Sequence, residues 1–282
     1  MLASFVYWLY ETGILHNQLQ VLSIEETIDL LVHSNKSLVR YGDGEIALAS
    51  GKRSATQIED KKLQQRLLEV LQSDETDLEV AICDIFNGLK SYHKSSQLFW
   101  KKHLLAHRST YKSNCDSARK YCNAFITRCY YLFEDKSQCE YWFSEIRKIW
   151  DNKSIVIIEG ETAHNGVGND LFSGASNVER VICPSQNAYA KYHNILDTCC
   201  KFDKEKMMLL SLGAAAKPLC YDLYKMGYRV IDIGNLDLEY EWFLAKETRK
   251  VALKKHSILG EDANRKAGYF DYWNQIKYII GE

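Results

Sequence analysis

Ser154-Ile-Val-Ile-Ile-Glu159 is an unbroken aliphatic run closed by an acid. A strand with one solvated face alternates apolar and polar residues, whereas a continuous run belongs to a strand covered on both faces, as in a parallel sheet between helices. The pattern recurs outward from it. Val178-Glu-Arg-Val-Ile-Cys183, Lys206-Met-Met-Leu-Leu-Ser-Leu-Gly213 and Tyr228-Arg-Val-Ile-Asp-Ile-Gly234 read as strands, with helices following Pro184 and over Ala214–Met226. Upstream, Ser23-Ile-Glu-Glu26 is a capping-box pattern opening a helix whose Ile24, Ile28, Leu31 and Val32 share a face. Leu38-Val39 starts a short strand, Leu63, Leu67, Leu68 and Leu71 mark another helix, and a strand is expected around Leu78–Phe86. Strand, loop and helix in alternation give an α/β, Rossmann-like, mostly parallel sheet flanked by helices.

The rest of the chain is less regular. From Asn87 to Trp150 it reads as mainly helical, with a short strand at Ala124-Phe-Ile-Thr-Arg128 bringing Arg128 to the sheet edge. His103 and His107 share a helix face but lack a third ligand, so they are expected at the surface or partly packed. With two prolines and no low-complexity linker, one domain is expected over 1–282. It comprises a peripheral N-terminal helix within 1–22, a core over 23–243 and a helical tail over 244–282.

The 282 residues are 46% hydrophobic and carry a net charge of -1, so no basic field points to nucleic acid. Nine cysteines, including adjacent Cys199 and Cys200, lack zinc-ribbon spacing and suit reduced thiols in a cytoplasm. The stretch Met1-Leu-Ala-Ser-Phe-Val-Tyr-Trp-Leu-Tyr10 has no basic leader. It is shorter than the ~20 apolar residues a bilayer requires. It reads as a packed helix, with contact to the inner membrane surface as the alternative.

Ser37-Leu-Val-Arg-Tyr-Gly-Asp-Gly-Glu45 carries the sharpest chemistry. Two glycines bracket an acid at an expected strand end, where open α/β sheets bind ligands. Asp43 and Glu45 suit a hard divalent cation that also holds phosphates; the plain alternative is a solvated acidic turn. The glycine-containing loop Glu159–Gly168, followed by a helix expected to start at Asn169 or Asp170, suits an anion on the helix-start N–H groups. It is not the dinucleotide fingerprint. Ser211-Leu-Gly213-Ala-Ala-Ala-Lys217 is a second strand-to-helix turn. Asp232-Ile-Gly-Asn-Leu-Asp-Leu-Glu-Tyr-Glu-Trp242 is the third. Its Asp237, Glu239 and Glu241 share one face if extended; if helical, only Asp237 and Glu241 do. A general base or metal contact is one reading, and a solvated edge the other.

Four motifs occur in order: Arg40-Tyr-Gly-Asp-Gly-Glu45, Val167-Gly-Asn-Asp-Leu-Phe172, Ile182-Cys-Pro-Ser-Gln-Asn-Ala188 and Asp232–Phe243. Together they resemble the GT-D glycosyltransferase family of bacterial glycosylation and polysaccharide clusters. The resemblance implies a UDP-sugar donor, Mn²⁺ or Mg²⁺ at an Asp-x-Glu motif (here Asp43 and Glu45), and a glycan acceptor. Arg40, Gly42, Gly166, Gly168, Asn169 and Asn187 fall with the donor, and Asp237, Glu239 and Glu241 with catalysis. The chain departs from the pattern at His164, where the family has Arg, and at Asn235, where it has His. The aromatic middle segment, with Tyr92 and Trp100, would offer an acceptor platform. The expectation is a cytoplasmic, metal-dependent hexosyltransferase. Its rivals are a catalytically silent sugar-nucleotide-binding subunit and a metal-dependent phosphohydrolase.

Overall fold

The aliphatic run at 154 forms a strand whose residues from Ile155 to Gly160 are all buried. The computed structural model describes residues 2–12, 14–15, 19–52, 57–257 and 269–281. In chain order the elements are α1 (Leu2–Glu11), β1 (Gln20–Val21), α2 (Ile24–Val32), β2 (Ser37–Tyr41), α3 (Asp43–Ala49), α4 (Lys61–Gln72), β3 (Leu78–Ile82), α5 (Lys94–Asn114), β4 (Lys120–Asn123), α6 (Cys139–Arg147), β5 (Ser154–Gly160), β6 (Asn177–Cys183), α7 (Tyr192–Cys199), β7 (Met207–Ser211), α8 (Ala216–Lys225), β8 (Val230–Asp232), α9 (Leu236–Leu244), α10 (Tyr269–Gln275) and β9 (Ile276–Ile279).

Among the described residues the strands make one sheet in the order β1-β4-β3-β2-β8-β7-β5-β6-β9, and every pairing is parallel. The expected fold is the observed one. Strand β2 pairs outward with β3 in full register, Ser37 with Leu78 through Tyr41 with Ile82, and inward with β8 at Leu38 and Ile231. The first half of the chain thus winds away from β2 on one side while the second half returns to it on the other. Crevices form at the carboxyl ends of strands where the winding changes direction.

Helices start where the side chains dictate. Ser23 Oγ accepts the Glu26 N–H at 3.0 Å and Glu26 takes the Ser23 N–H at 2.7 Å, completing the capping box of α2. Asp60 caps α4 by accepting from Lys62 and Leu63, and Leu63, Leu67, Val70 and Leu71 of that helix face the core. Helix α8 lies across β2 and β8 and meets α4, which places its first turn beside the β2 turn.

Several elements differ from the sequence reading. Residues 124–127 form a 3-10 turn, not a strand, because Asn123 Oδ1 accepts the Phe125 N–H at 3.0 Å and curls the chain off β4. Strand β3 ends at Ile82, four residues before the expected end. Helix α1 stops at Glu11, and Gln20–Val21 joins the sheet beside β4. The tail over 244–282 is not wholly helical: β9 extends the sheet beyond β6. His103 and His107 face inward with rings 4.7 Å apart, and burial pulls His103 down to about 3. Tyr92 and Trp100 are core residues, both packed on Phe125, so neither presents a ring face to a sugar.

Candidate active site at the strand ends

The turns after β2 and β8 meet over a buried charge cluster. Lys217 enters from α8, 2% exposed. Its Nζ stands 3.0 Å from Asp232 Oδ2, 3.2 Å from Glu45 Oε1 and donates to the Gly213 carbonyl at 3.0 Å. Burial alone would lower the ammonium's pKa, but Asp232 and Glu45 overcome it and hold it above the ordinary lysine value. Asp232 is held below the usual carboxylate range: the opposing Lys217 and Arg40 charges outweigh the effect of its burial.

Arg40, expected at the donor, faces protein acceptors. Nε donates to the Asp232 carbonyl and Nη1 to the Ala124 carbonyl, each at 3.0 Å. Gly234 makes this possible: at φ +44°, a methyl group there would stand 1.7 Å from Arg40 Nη2. Gly42 donates its N–H to Glu45 Oε2 at 2.9 Å, so Glu45 both closes the first turn of α3 and pairs with Lys217. Asp43 differs. It is half-buried, and its carboxylate makes no hydrogen bond or ion pair among the described residues.

The three acids of α9 divide as a helix requires. Asp237, 1% exposed, accepts the Gly166 N–H and Asn169 Nδ2 at 2.8 Å each, and Lys255 Nζ lies 2.7 Å from its other oxygen. Glu241 shares both partners, at 2.6 Å from Asn169 Nδ2 and 2.8 Å from Lys255 Nζ. Glu239 points elsewhere and accepts the N–H groups of Tyr130 and Tyr131 at 3.1 and 2.7 Å; burial raises its pKa.

No helix follows β5 before β6. The 160s loop is a series of turns, with Asn169 Oδ1 capping the Leu171 N–H at 3.0 Å without a helix propagating from it. Its amides do not form the expected anion cradle, since Asn165 donates to Glu159 and Gly166 to Asp237. Gly166 is required at φ +76°, where a methyl group would stand 2.4 Å from the Phe172 ring. Gly168 is exposed. Asn187 accepts the Ile58 N–H at 2.7 Å and ties the loop after β6 to the approach to α4.

The family model for the glycosyltransferase GT-D fold matches residues 38–260. The chain belongs to the GT-D family. Gly of Streptococcus gordonii, described as a probable glycosyl transferase, is 40% identical over 242 residues, which are 85% of this chain and 35% of that protein. Glycosyltransferase GlyD of Streptococcus pneumoniae serotype 4 is 37% identical over 241 residues, 85% of this chain and 30% of that protein. The chain therefore spans about a third of the length of these curated relatives. A solved Streptococcus sanguinis structure, described as a new glycosyltransferase, superposes with a TM-score of 0.87 at 37% identity, covering 94% of this chain and 100% of that one. A second, described as having a distinct glycosyltransferase fold, gives 0.87 at 36%, covering 94% and 97%.

Within this GT-D domain, His164 is buried against the Tyr272 ring, 5.0 Å between centroids, and its burial lowers its pKa. It adds no charge to the loop at neutral pH. Asn235 is exposed at the start of α9. Two other groups at this edge were not placed in the site by sequence. Arg128 is half-buried; its backbone N–H donates to the Phe125 carbonyl at 2.8 Å, and its guanidinium makes no hydrogen bond or ion pair among the described residues. The chain around it is pinned on both sides, by Ala124 accepting from Arg40 and by Tyr130 and Tyr131 donating to Glu239. Asp84 follows the end of β3, and its buried Oδ1 has no hydrogen-bond partner among the described residues. The expected strand to Phe86 hid it.

Burial raises the Asp84 carboxyl from 3.8 to about 6, against the opposing N–H groups of Asn87. Below 3.8 the native group is protonated and its burial carries no charge penalty; above about 6 the native state must hold the charge. Asp84→Asn is therefore expected to gain stability over wild type as pH rises, approaching about 2–3 kcal/mol. Denaturant unfolding at pH 4 and pH 7.5 checks this, and an advantage independent of pH would refute it.

Proposed function

We propose that this chain transfers a hexose from a UDP-sugar to a carbohydrate acceptor in surface polysaccharide or glycoprotein glycan synthesis. The observation that carries the reading is the Asp43 carboxylate, without a hydrogen-bond or ion-pair partner among the described residues, at the winding reversal of a GT-D fold. Among the described residues no group of three or more His, Cys, Asp or Glu could hold a metal by itself. Asp43 with Glu45 fits the other arrangement, in which one or two carboxylates share Mg²⁺ or Mn²⁺ with substrate phosphates. When bound, such an ion offsets negative charge on the departing UDP.

The chain's own residues take the remaining roles. Gly42 and Gly168 give the donor close backbone approach, while Arg40, Gly166, Asn169 and Asn187 hold the loops that border it. Arg128 supplies the positive charge for the diphosphate that neutral His164 does not. Glu241, the most exposed of the α9 acids, takes the acceptor's hydroxyl proton in an inverting displacement, with Asp237 and Asn169 orienting it. Glu239 supports the turn that presents Arg128.

The first experiment is UDP release from UDP-glucose, UDP-galactose and their N-acetyl forms, with Mn²⁺ or EDTA, against short glycan acceptors. Release that needs both metal and acceptor supports the transferase. Donor binding without release across the panel favours a silent subunit, a reading to which the engagement of Asp237 and Glu241 by Lys255 lends weight. Inorganic phosphate released without acceptor would indicate a phosphohydrolase. Two variants separate the roles. Arg128→Gln is expected to raise the donor KM about tenfold with kcat little changed. Glu241→Gln is expected to lower kcat about 100-fold with donor KM little changed. The reverse pattern would exchange the assignments.

A further inference from the structure

A helix that is apolar on all sides belongs in an interior. Helix α1, apolar at every position but Ser4 and Glu11, comes close to such a helix and lies at the surface. Tyr7 and Tyr10 face the core, whereas Leu2, Phe5 and Trp8 are 66%, 55% and 50% exposed. Phe5 and Trp8 stack with their ring centroids 6.0 Å apart. Its neighbour α5 adds Leu98 and Phe99, 50% and 47% exposed.

The charge on this face is one-sided. Helix α5 carries Lys94, Lys101, Lys102, Arg108 and Lys112 and no acid, in a chain whose net charge is -1. Glu11 is the single acid of the two helices. Lys101 lies over the Tyr7 ring and Arg108 over the Tyr10 ring, so the basic stripe runs beside the apolar one. Between the helices a cleft of about 140 Å³ is lined by Tyr10, Leu104 and Tyr111 together with Arg108 and Lys112.

We propose that the α1–α5 face docks on an anionic phospholipid surface. Exposed Trp and Phe insert at the headgroup level while lysines meet the phosphates, a combination that fits neither bulk water nor a neutral interior. A second copy of the same face is disfavoured, because a two-fold interface would set one basic stripe against another. The docking is independent of the reaction at the strand ends. It also sets the orientation of that edge, since Tyr7 donates to the Ile85 carbonyl just beyond the end of β3.

The test is co-sedimentation with vesicles of phosphatidylcholine alone or with about one-third phosphatidylglycerol. Binding is expected only to the anionic vesicles and is expected to fall as salt rises. Phe5→Ser/Trp8→Ser and Lys94→Gln/Lys102→Gln should each weaken it about tenfold or more. Brominated lipid should quench wild-type tryptophan emission and quench Trp8→Phe less, a readout that survives if the serine variant folds poorly. Absence of binding to anionic vesicles would overturn the proposal. So would equal binding by the Phe5/Trp8 variant, or a concentration-dependent dimer that this variant abolishes.

Discussion

Methionine at Lys217 is expected to destabilise the fold by about 3–5 kcal/mol, the usual cost of removing one partner from a buried ion pair. The ammonium is 2% exposed and stands between Asp232, which is fully buried, and Glu45. Without it, Asp232 keeps only the Arg40 guanidinium, 3.5 Å from Oδ1, and its backbone donors. A neutral side chain of similar length fills the space but leaves the buried carboxylate without its nearer cation. Denaturant unfolding measures the loss, and a value below about 1 kcal/mol would mean that water or Arg40 compensates. Adding Asp232→Asn to Lys217→Met should recover part of the stability, because the stranded charge is then removed.

Asp43→Asn is expected to lower metal-dependent kcat/KM by about 10³-fold or more, with a melting temperature within about 2 °C of wild type. Among the described residues the carboxylate has no hydrogen-bond or ion-pair partner, so its charge can be removed without breaking a contact described there. Glu45→Gln is a less clean variant. Glu45 accepts the Gly42 N–H and faces Lys217, so neutralising it weakens α3 as well as any metal contact. Steady-state kinetics with Mn²⁺, alongside thermal melts, separates the two effects. Normal transfer by Asp43→Asn would remove the acidic turn from the reaction.

The parallel sheet was legible because its inner strands are aliphatic throughout. Ile155 to Ile158 and Met208 to Leu210 have no room for a polar residue, and the sequence has none there. Capping boxes are equally local: Ser23 and Glu26 need only each other. Roles that depend on distant partners were not legible. Nothing in Arg40-Tyr-Gly-Asp-Gly-Glu45 says that Arg40 will meet Asp232, or that Glu45 will meet Lys217, across most of the chain. Spacing did give the division of the α9 acids once the helix was known, but not the lysine at 255 that pairs with two of them. Strand β9 escaped notice because edge strands are half exposed, and Tyr278 and Ile279 carry no continuous buried pattern.

The middle of the sheet joins segments that lie far apart in the sequence. Leu38 pairs with Ile231, and the Val230 N–H donates to the Ser37 hydroxyl across 193 residues. A ribosome delivers the first of these residues long before the second. Until β8 has left the exit tunnel, β2 has an open edge and its Arg40 lacks Asp232. The amino-terminal half must therefore wait, incompletely paired, for about the time needed to synthesise the rest, on the order of tens of seconds at 5–20 residues per second. Such a nascent chain is a natural client for a chaperone that shields an unpaired strand, and premature termination before Ile231 should yield insoluble product instead of a smaller folded domain.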